Sequence, residues 1–152
     1  TIKYNYNSSR IRTEKIVNGI KYEYLVLEDK IIQQNIYSSE NVLDYYLRFM
    51  YDENDNVLRF ELILNDGTIH KTIYYVKNFQ NDIIKLIDDE GNIVGEYIYD
   101  AYGNVININE LSIFAYENPF RYKSYFHDQE TNLYYCNTRY YSPEICRWIS
   151  MD

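Results

Sequence analysis

Residues Tyr97 to Ile106 read YIYDAYGNVI, and the reading of this stretch decides the fold. An Asp, a Gly and three aromatics share ten positions. Asp100 can be read as a catalytic carboxylate, as a metal ligand, or as the residue that opens a hairpin. Gly103 stands three residues after it, the spacing of a type I turn followed by a residue at positive φ, the three-residue hairpin loop with its bulge. An Asp at the head of such a turn accepts a hydrogen bond from the backbone N–H two residues on, which presets the bend. In DDEGN, Asp88 and Gly91 stand at the same spacing.

The same layout recurs along the chain. YNYNSSRIRTEKIVNG (4–19), FMYDENDNVLRFELILNDG (49–67), YYVKNFQNDIIKLIDDEGNIV (74–94), YIYDAYGNVINI (97–108) and SYFHDQETNLYYCNTRYY (124–141) each open with aromatics, pass a polar turn and resume as an apolar strand. Tyr51, Tyr75, Tyr99 and Phe126 follow one another at 24, 24 and 27 residues, and a period in this range marks repeat architectures. Where Gly is absent, Asp55 in DEND, Asn81 in NFQN and Asn132 in QETN take its place. Asn and Asp are the non-glycine residues that best tolerate the left-handed region. Turns of unlike sequence thus meet one backbone requirement, and the turn reading wins for Asp88, Gly91, Asp100, Gly103 and Asn132.

Composition agrees. The 152 residues include 20 Tyr and only 2 Pro. Tyr suits a pleated surface, with an apolar face and a hydroxyl for a polar partner. IIKLI (83–87), EYIYD (96–100) and LYYCNTRYY (133–141) have the length of strands. Helical periodicity is weak throughout, and SSENVLDYYLRF (38–49), with Ser39 as a cap, is the best helix candidate. NINELSIFAYENPF (107–120) reads as a longer connection between hairpins. The expected fold is all-β, a chain of consecutive antiparallel hairpins in an extended, curled sheet.

Several functions are disfavoured. A formal net charge of −8 argues against nucleic-acid binding as the main task, because neutralising phosphates needs a surplus of Lys and Arg. No apolar run reaches the ~18–20 residues of a membrane span, and TIKYNYNSSR lacks the apolar stretch of a signal peptide. Cys136 and Cys146 lack metal-ligand spacing and are expected to be small buried residues. DENDN (52–56) has oxygen ligands at alternating positions. A calcium loop would need Gly at Val57 and Glu at Ile63, so it too reads as a turn. His70 and His127 stand alone, as surface or strand residues. Arg121, Arg139 and Arg147 lie among aromatics and are expected to stack on them. No cofactor is implied.

The Tyr-Asp-x-x-Gly units resemble YD repeats. The tail NPFRYKSYFHDQETNLYYCNTRYYSPEICRWISMD (118–152) is similar to the RHS repeat-associated core domain. Its blocks are Asn-Pro-Phe-Arg-Tyr, Glu-Thr-x-Leu-Tyr-Tyr, Arg-Tyr-Tyr-x-Pro and Arg-Trp-Ile-Ser-x-Asp. The resemblance divides the chain into a hairpin region (1–117) and a core segment (118–152). It implies a very large secreted or cell-surface protein whose repeats coil into a β-shell around a toxic C-terminal polypeptide. The core segment would close one end of that shell. Its partners would be the rest of the shell and the enclosed toxin, without nucleic acid or membrane insertion. In many such proteins an aspartyl autoprotease follows the core, and its first Asp falls on Asp152. Aspartyl catalysis needs two carboxylates close enough to share a proton, so Asp152 would act only in a longer precursor. Where the family usually has Gly, this chain has Asn132 and Cys146. Asn132 suits the turn. A Cys resists positive φ, so the Pro143–Arg147 corner is expected either to differ or not to need that conformation.

Three functions compete: part of a toxin-enclosing shell, a fragment of a self-cleaving precursor, and a glycan- or protein-binding module using Tyr-rich faces. Strand edges cut from their neighbours are expected to drive self-association.

Overall fold

The computed structural model describes residues 1–109, 112–136 and 138–149. Strands dominate: β1 (Ile2–Tyr6), β2 (Arg12–Val17), β3 (Ile20–Leu27), β4 (Lys30–Tyr37), β5 (Leu43–Tyr51), β6 (Val57–Leu64), β7 (Ile69–Lys77), β8 (Ile83–Asp88), β9 (Ile93–Tyr99) and β10 (Val105–Asn109). A short helix α1 (Phe114–Glu117), a 3₁₀ turn (Tyr122–Ser124) and β11 (Phe126–Asp128), β12 (Leu133–Cys136), β13 (Arg139–Ser142) and β14 (Arg147–Ile149) follow. Sheet order is chain order, β1 to β10 in one sheet and β11 to β14 in a second. The expected all-β architecture of consecutive antiparallel hairpins is therefore the observed one.

One turn geometry recurs. Among the described residues, Asn7, Ser38, Asp52, Asn78, Asp88 and Asp100 each open a five-residue turn. In each, the side-chain oxygen of the first residue accepts the amides two and four positions on. The first amide bonds the fifth carbonyl, and the fourth amide bonds the first carbonyl. The fourth residue has positive φ throughout: Arg10 (63°), Asn41 (62°), Asp55 (64°), Asn81 (70°), Gly91 (83°) and Gly103 (99°). One oxygen thus satisfies two turn amides that would otherwise lack protein partners, which is why Asp, Asn or Ser holds the first position. DENDN is such a turn. The segment 38–49 is one too, opened by Ser38 and continued by β5, where alternate residues Leu47 and Phe49 enter the core. Asn132 also has positive φ, 55°, but its turn has another register: Thr131 donates to the carbonyl of Asp128, and Asn132 comes one residue later.

Two compact units, residues 1–72 and 73–152, divide the chain. In the first, Leu47, Phe49, Phe60 and Ile63 are buried, and Phe49 opposes Phe60 with ring centroids 6.4 Å apart. Arg12 is fully buried there between the rings of Tyr4 and Tyr24, 5.1 and 4.9 Å from their centroids. In the second, Ile73, Ile83, Leu86, Tyr97, Phe120, Phe126 and Tyr134 form the core. Here the connection after β10 folds α1 back onto β9. A Cβ on Gly95 would lie 2.9 Å from the Cβ of Ala115, so only glycine permits that approach.

Two cysteine expectations are corrected. Cys146 is exposed and Cys136 half-buried, so neither is a core residue. The Pro143–Arg147 corner does use the left-handed region, with Cys146 at φ 56°. The Cys146 thiol lies 3.5 Å from the Pro143 carbonyl.

Candidate functional site

The second unit brings the opening stretch and the C-terminal segment together. At the Asp100–Asn104 turn, three successive carbonyls each accept a phenol hydroxyl. Tyr122 donates to Ala101 at 3.3 Å, Tyr141 to Tyr102 at 2.8 Å and Tyr134 to Gly103 at 2.7 Å. Among the described residues, the turn's own main-chain bonds use the carbonyls of Asp100 and Asn104 rather than these three. The three tyrosines also pack on one another, with centroids 5.8 to 6.4 Å apart. Gly103 lies flat against this group. A Cβ there would come within 2.4 Å of the Tyr122 ring.

A polar chain runs from the same turn into the core, and donor–acceptor accounting fixes its polarity. Asn104 faces two groups that only accept, the Asp100 carboxylate at 2.8 Å and the Pro143 carbonyl at 3.2 Å, so its Nδ2 points to both. Its Oδ1 then accepts from Asn132 Nδ2 at 3.2 Å. Asn132 Oδ1 accepts from His127 Nε2 at 3.0 Å, which leaves His127 Nδ1 bare. Arg121, a donor only, bonds that Nδ1 through Nη1 at 3.3 Å. His127 is therefore neutral, with its one proton on Nε2. Its burial and the Arg121 charge lower its pKa from 6.5 to about 4. The bond from Asn104 also keeps the Asp100 carboxyl below its ordinary value.

Arg121 is 1% exposed and spends its guanidinium on main-chain oxygens. Nε bonds the Asn118 carbonyl, and Nη2 bonds those of Ala115 and Tyr116. The Tyr97 ring lies 5.0 Å from its centre. Asn118 is fully buried and joins three elements. It accepts from Tyr75 Oη at 2.6 Å, and its Nδ2 donates to the Phe120 carbonyl and to Tyr97 Oη. The cost of burying this cation is offset by main-chain oxygens at Nε and Nη2, the imidazole nitrogen at Nη1 and the attraction of the ring face.

Of the residues singled out in the sequence, Asp100, Gly103 and Asn132 meet at this site. Asp88 and Gly91 form the β8–β9 turn, at the other end of these antiparallel strands. Asp152 lies outside the described residues. His70 is exposed on β7, whereas His127 is buried in β11. Arg121 and Arg139 stack on Tyr97 and Trp148. The roles of Tyr122, Tyr134, Tyr141 and Asn118 were not read from local pattern, although all four lie in the NPFRY, ETNLYY and RYYSP blocks. Among the described residues no group of three His, Cys, Asp or Glu is arranged to hold a metal, and no helix is long and apolar enough to cross a membrane.

The fold is shared with large toxin complexes. The crystal structure of TcdB2-TccC3-Cdc42 superposes with a TM-score of 0.77 at 22% identity, over 99% of this chain and 8% of that one. The Photorhabdus luminescens Tc holotoxin pore gives 0.76 at 21%, over 99% and 7%. In sequence, the chain is 32% identical over 155 residues to tRNA nuclease WapA of Bacillus subtilis (strain 168). It is 30% identical over 149 residues to tRNA3(Ser)-specific nuclease WapA of Bacillus spizizenii. Each match covers 98% of this chain but 6% of the relative. No protein-family model matches the chain.

Proposed function

We propose that this chain is a structural segment of an RHS-type β-shell and closes over a C-terminal toxin in a secreted or surface-delivered protein. The observation that carries the proposal is the grip on the Asp100–Asn104 turn. Three tyrosine hydroxyls and the Asn132 amide, all from the C-terminal segment, hold the last hairpin of the larger sheet. This is the chemistry of a wall element and its fastening. Relatives named as toxin-complex structures and nucleases, of which the chain spans 6–8%, support membership in a much larger toxin-bearing protein.

The tRNA cleavage in the relatives' names is not proposed for this segment. A segment at net charge −8 repels a phosphate backbone. A glycan-binding role is also disfavoured, because the inward tyrosines are engaged with one another and with carbonyls. Cryo-electron microscopy of the full-length protein tests the proposal. A hollow β-shell with these residues at one end is expected, and a solid globule there would overturn it.

The block Arg147-Trp148-Ile149-Ser150-Met151-Asp152 supports a second proposal, that Asp152 supplies one carboxylate of a self-cleaving pair in the longer precursor. Asp152→Asn in that precursor should abolish the cleaved band on a gel. Unchanged cleavage removes Asp152 from the mechanism.

A further inference from the structure

The polar chain at the gripped turn has room for one imidazole proton. A second proton on His127 would have to sit on Nδ1, which faces Arg121 Nη1 at 3.3 Å. Arg121 has no acceptor to offer, and both residues are buried. The other neighbours do not resolve this conflict. Asp128, the next residue on β11, and Glu130, in the β11–β12 turn, favour the charged ring but are outweighed by burial and Arg121. Tyr134 on β12 presents a ring with its centroid 4.7 Å from the imidazole, and its own hydroxyl is committed to Gly103. Protonation must therefore separate His127 from Arg121.

His127 is not free to move alone. Its amide donates to the Pro119 carbonyl at 2.7 Å, and its Nε2 leads through Asn132 to Asn104 of the gripped turn. Displacing the ring disturbs the middle residue of β11 and pulls on the Asn132–Asn104 bond. We propose that His127 is an acid-sensitive latch, whose protonation breaks the Arg121–His127–Asn132–Asn104 chain and loosens β11 and β12 from the Asp100–Asn104 turn. This concerns how the second unit holds its own last hairpin, and it stands whether or not a polypeptide is enclosed.

The direction with pH follows from linkage. In the open form the imidazole regains an ordinary affinity for protons, so opening is favoured as pH falls below 6.5 and levels off near the folded value of about 4. From these two values, the opening equilibrium rises on the order of 100-fold between pH 8 and pH 4.5.

Hydrogen exchange of this chain, corrected for the intrinsic pH dependence of amide exchange, tests the proposal. Protection of β11 and β12 should fall about 100-fold over that range, with β8 and β9 of the same unit unaffected. The fluorescence of Trp148, the chain's single Trp, should change in parallel, since it packs on Tyr141 and Tyr125. His127→Gln keeps an acceptor and a donor without a titrating proton and should abolish the differential loss. If that variant does not fold, Asn132→Asp provides the second test. A carboxylate facing Nε2 favours the imidazolium in the closed form, which narrows the gap to the open form and should shrink the loss. An equal loss in β8–β9, an unchanged loss in His127→Gln, or an undiminished loss in Asn132→Asp overturns the latch.

Discussion

Asp100 illustrates what a single residue does here. Its carboxylate holds the amides of Tyr102 and Asn104 and the side chain of Asn104, so its chemistry is that of a turn brace. Gly103 is bound more tightly to its place than its counterpart Gly91. Both have positive φ, but a Cβ at Gly91 meets open space, whereas one at Gly103 meets the Tyr122 ring. Gly91→Ala should therefore cost about 1–2 kcal/mol, the penalty of the left-handed region alone. Gly103→Ala should cost roughly 3–5 kcal/mol, adding the clash and the disrupted grip. Urea unfolding of the two variants checks this, and equal losses would show that the Tyr122 contact is not restrictive.

At the level of elements, the hairpins repeat a bond as well as a turn. Tyr51 at the end of β5 donates to the Ile31 carbonyl of β4, and Tyr99 at the end of β9 donates to Ile83 of β8. These two tyrosines sit 48 residues apart, two steps of the sequence period. Burial pushes the Tyr99 hydroxyl well above its usual pKa, as it does that of Tyr134. Both phenols thus remain donors over any ordinary pH. Tyr134→Phe leaves the Gly103 carbonyl without its hydroxyl in a buried site and should cost about 1–3 kcal/mol. Tyr141→Phe, at a more exposed bond, should cost less than about 1 kcal/mol. Thermal melts of the two variants separate these values. A larger loss for Tyr141→Phe would mean that the Tyr102 carbonyl carries the grip.

For the molecule as a whole, the larger sheet begins at β1 and ends at β10, and among the described residues each is paired on one side only. Edge strands with open N–H and C=O groups recruit other chains unless they are charged, twisted or covered. The isolated chain should therefore self-associate, or bind neighbouring hairpins of a longer protein, at tens of micromolar in sedimentation. A clean monomer would contradict this.

The sequence by itself determined the strand-and-turn pattern. A residue at positive φ and a side-chain acceptor three positions before it are local requirements, and Asp, Asn and Gly answer them without help from the rest of the chain. Substitutes such as Arg10 and Cys146 were not legible, because strong flanking strands force residues into φ values that they rarely choose. Only the tertiary structure decided which polar residues are buried together. In sequence, His127 reads only as a surface or strand residue and Arg121 as a cation stacked on aromatics, with no sign that the two meet. Their burial, the imidazole's single proton and the grip on the turn arise because β11–β14 fold back over a hairpin more than twenty residues earlier. Long-range contact, not local propensity, sets the desolvation that gives those side chains their chemistry.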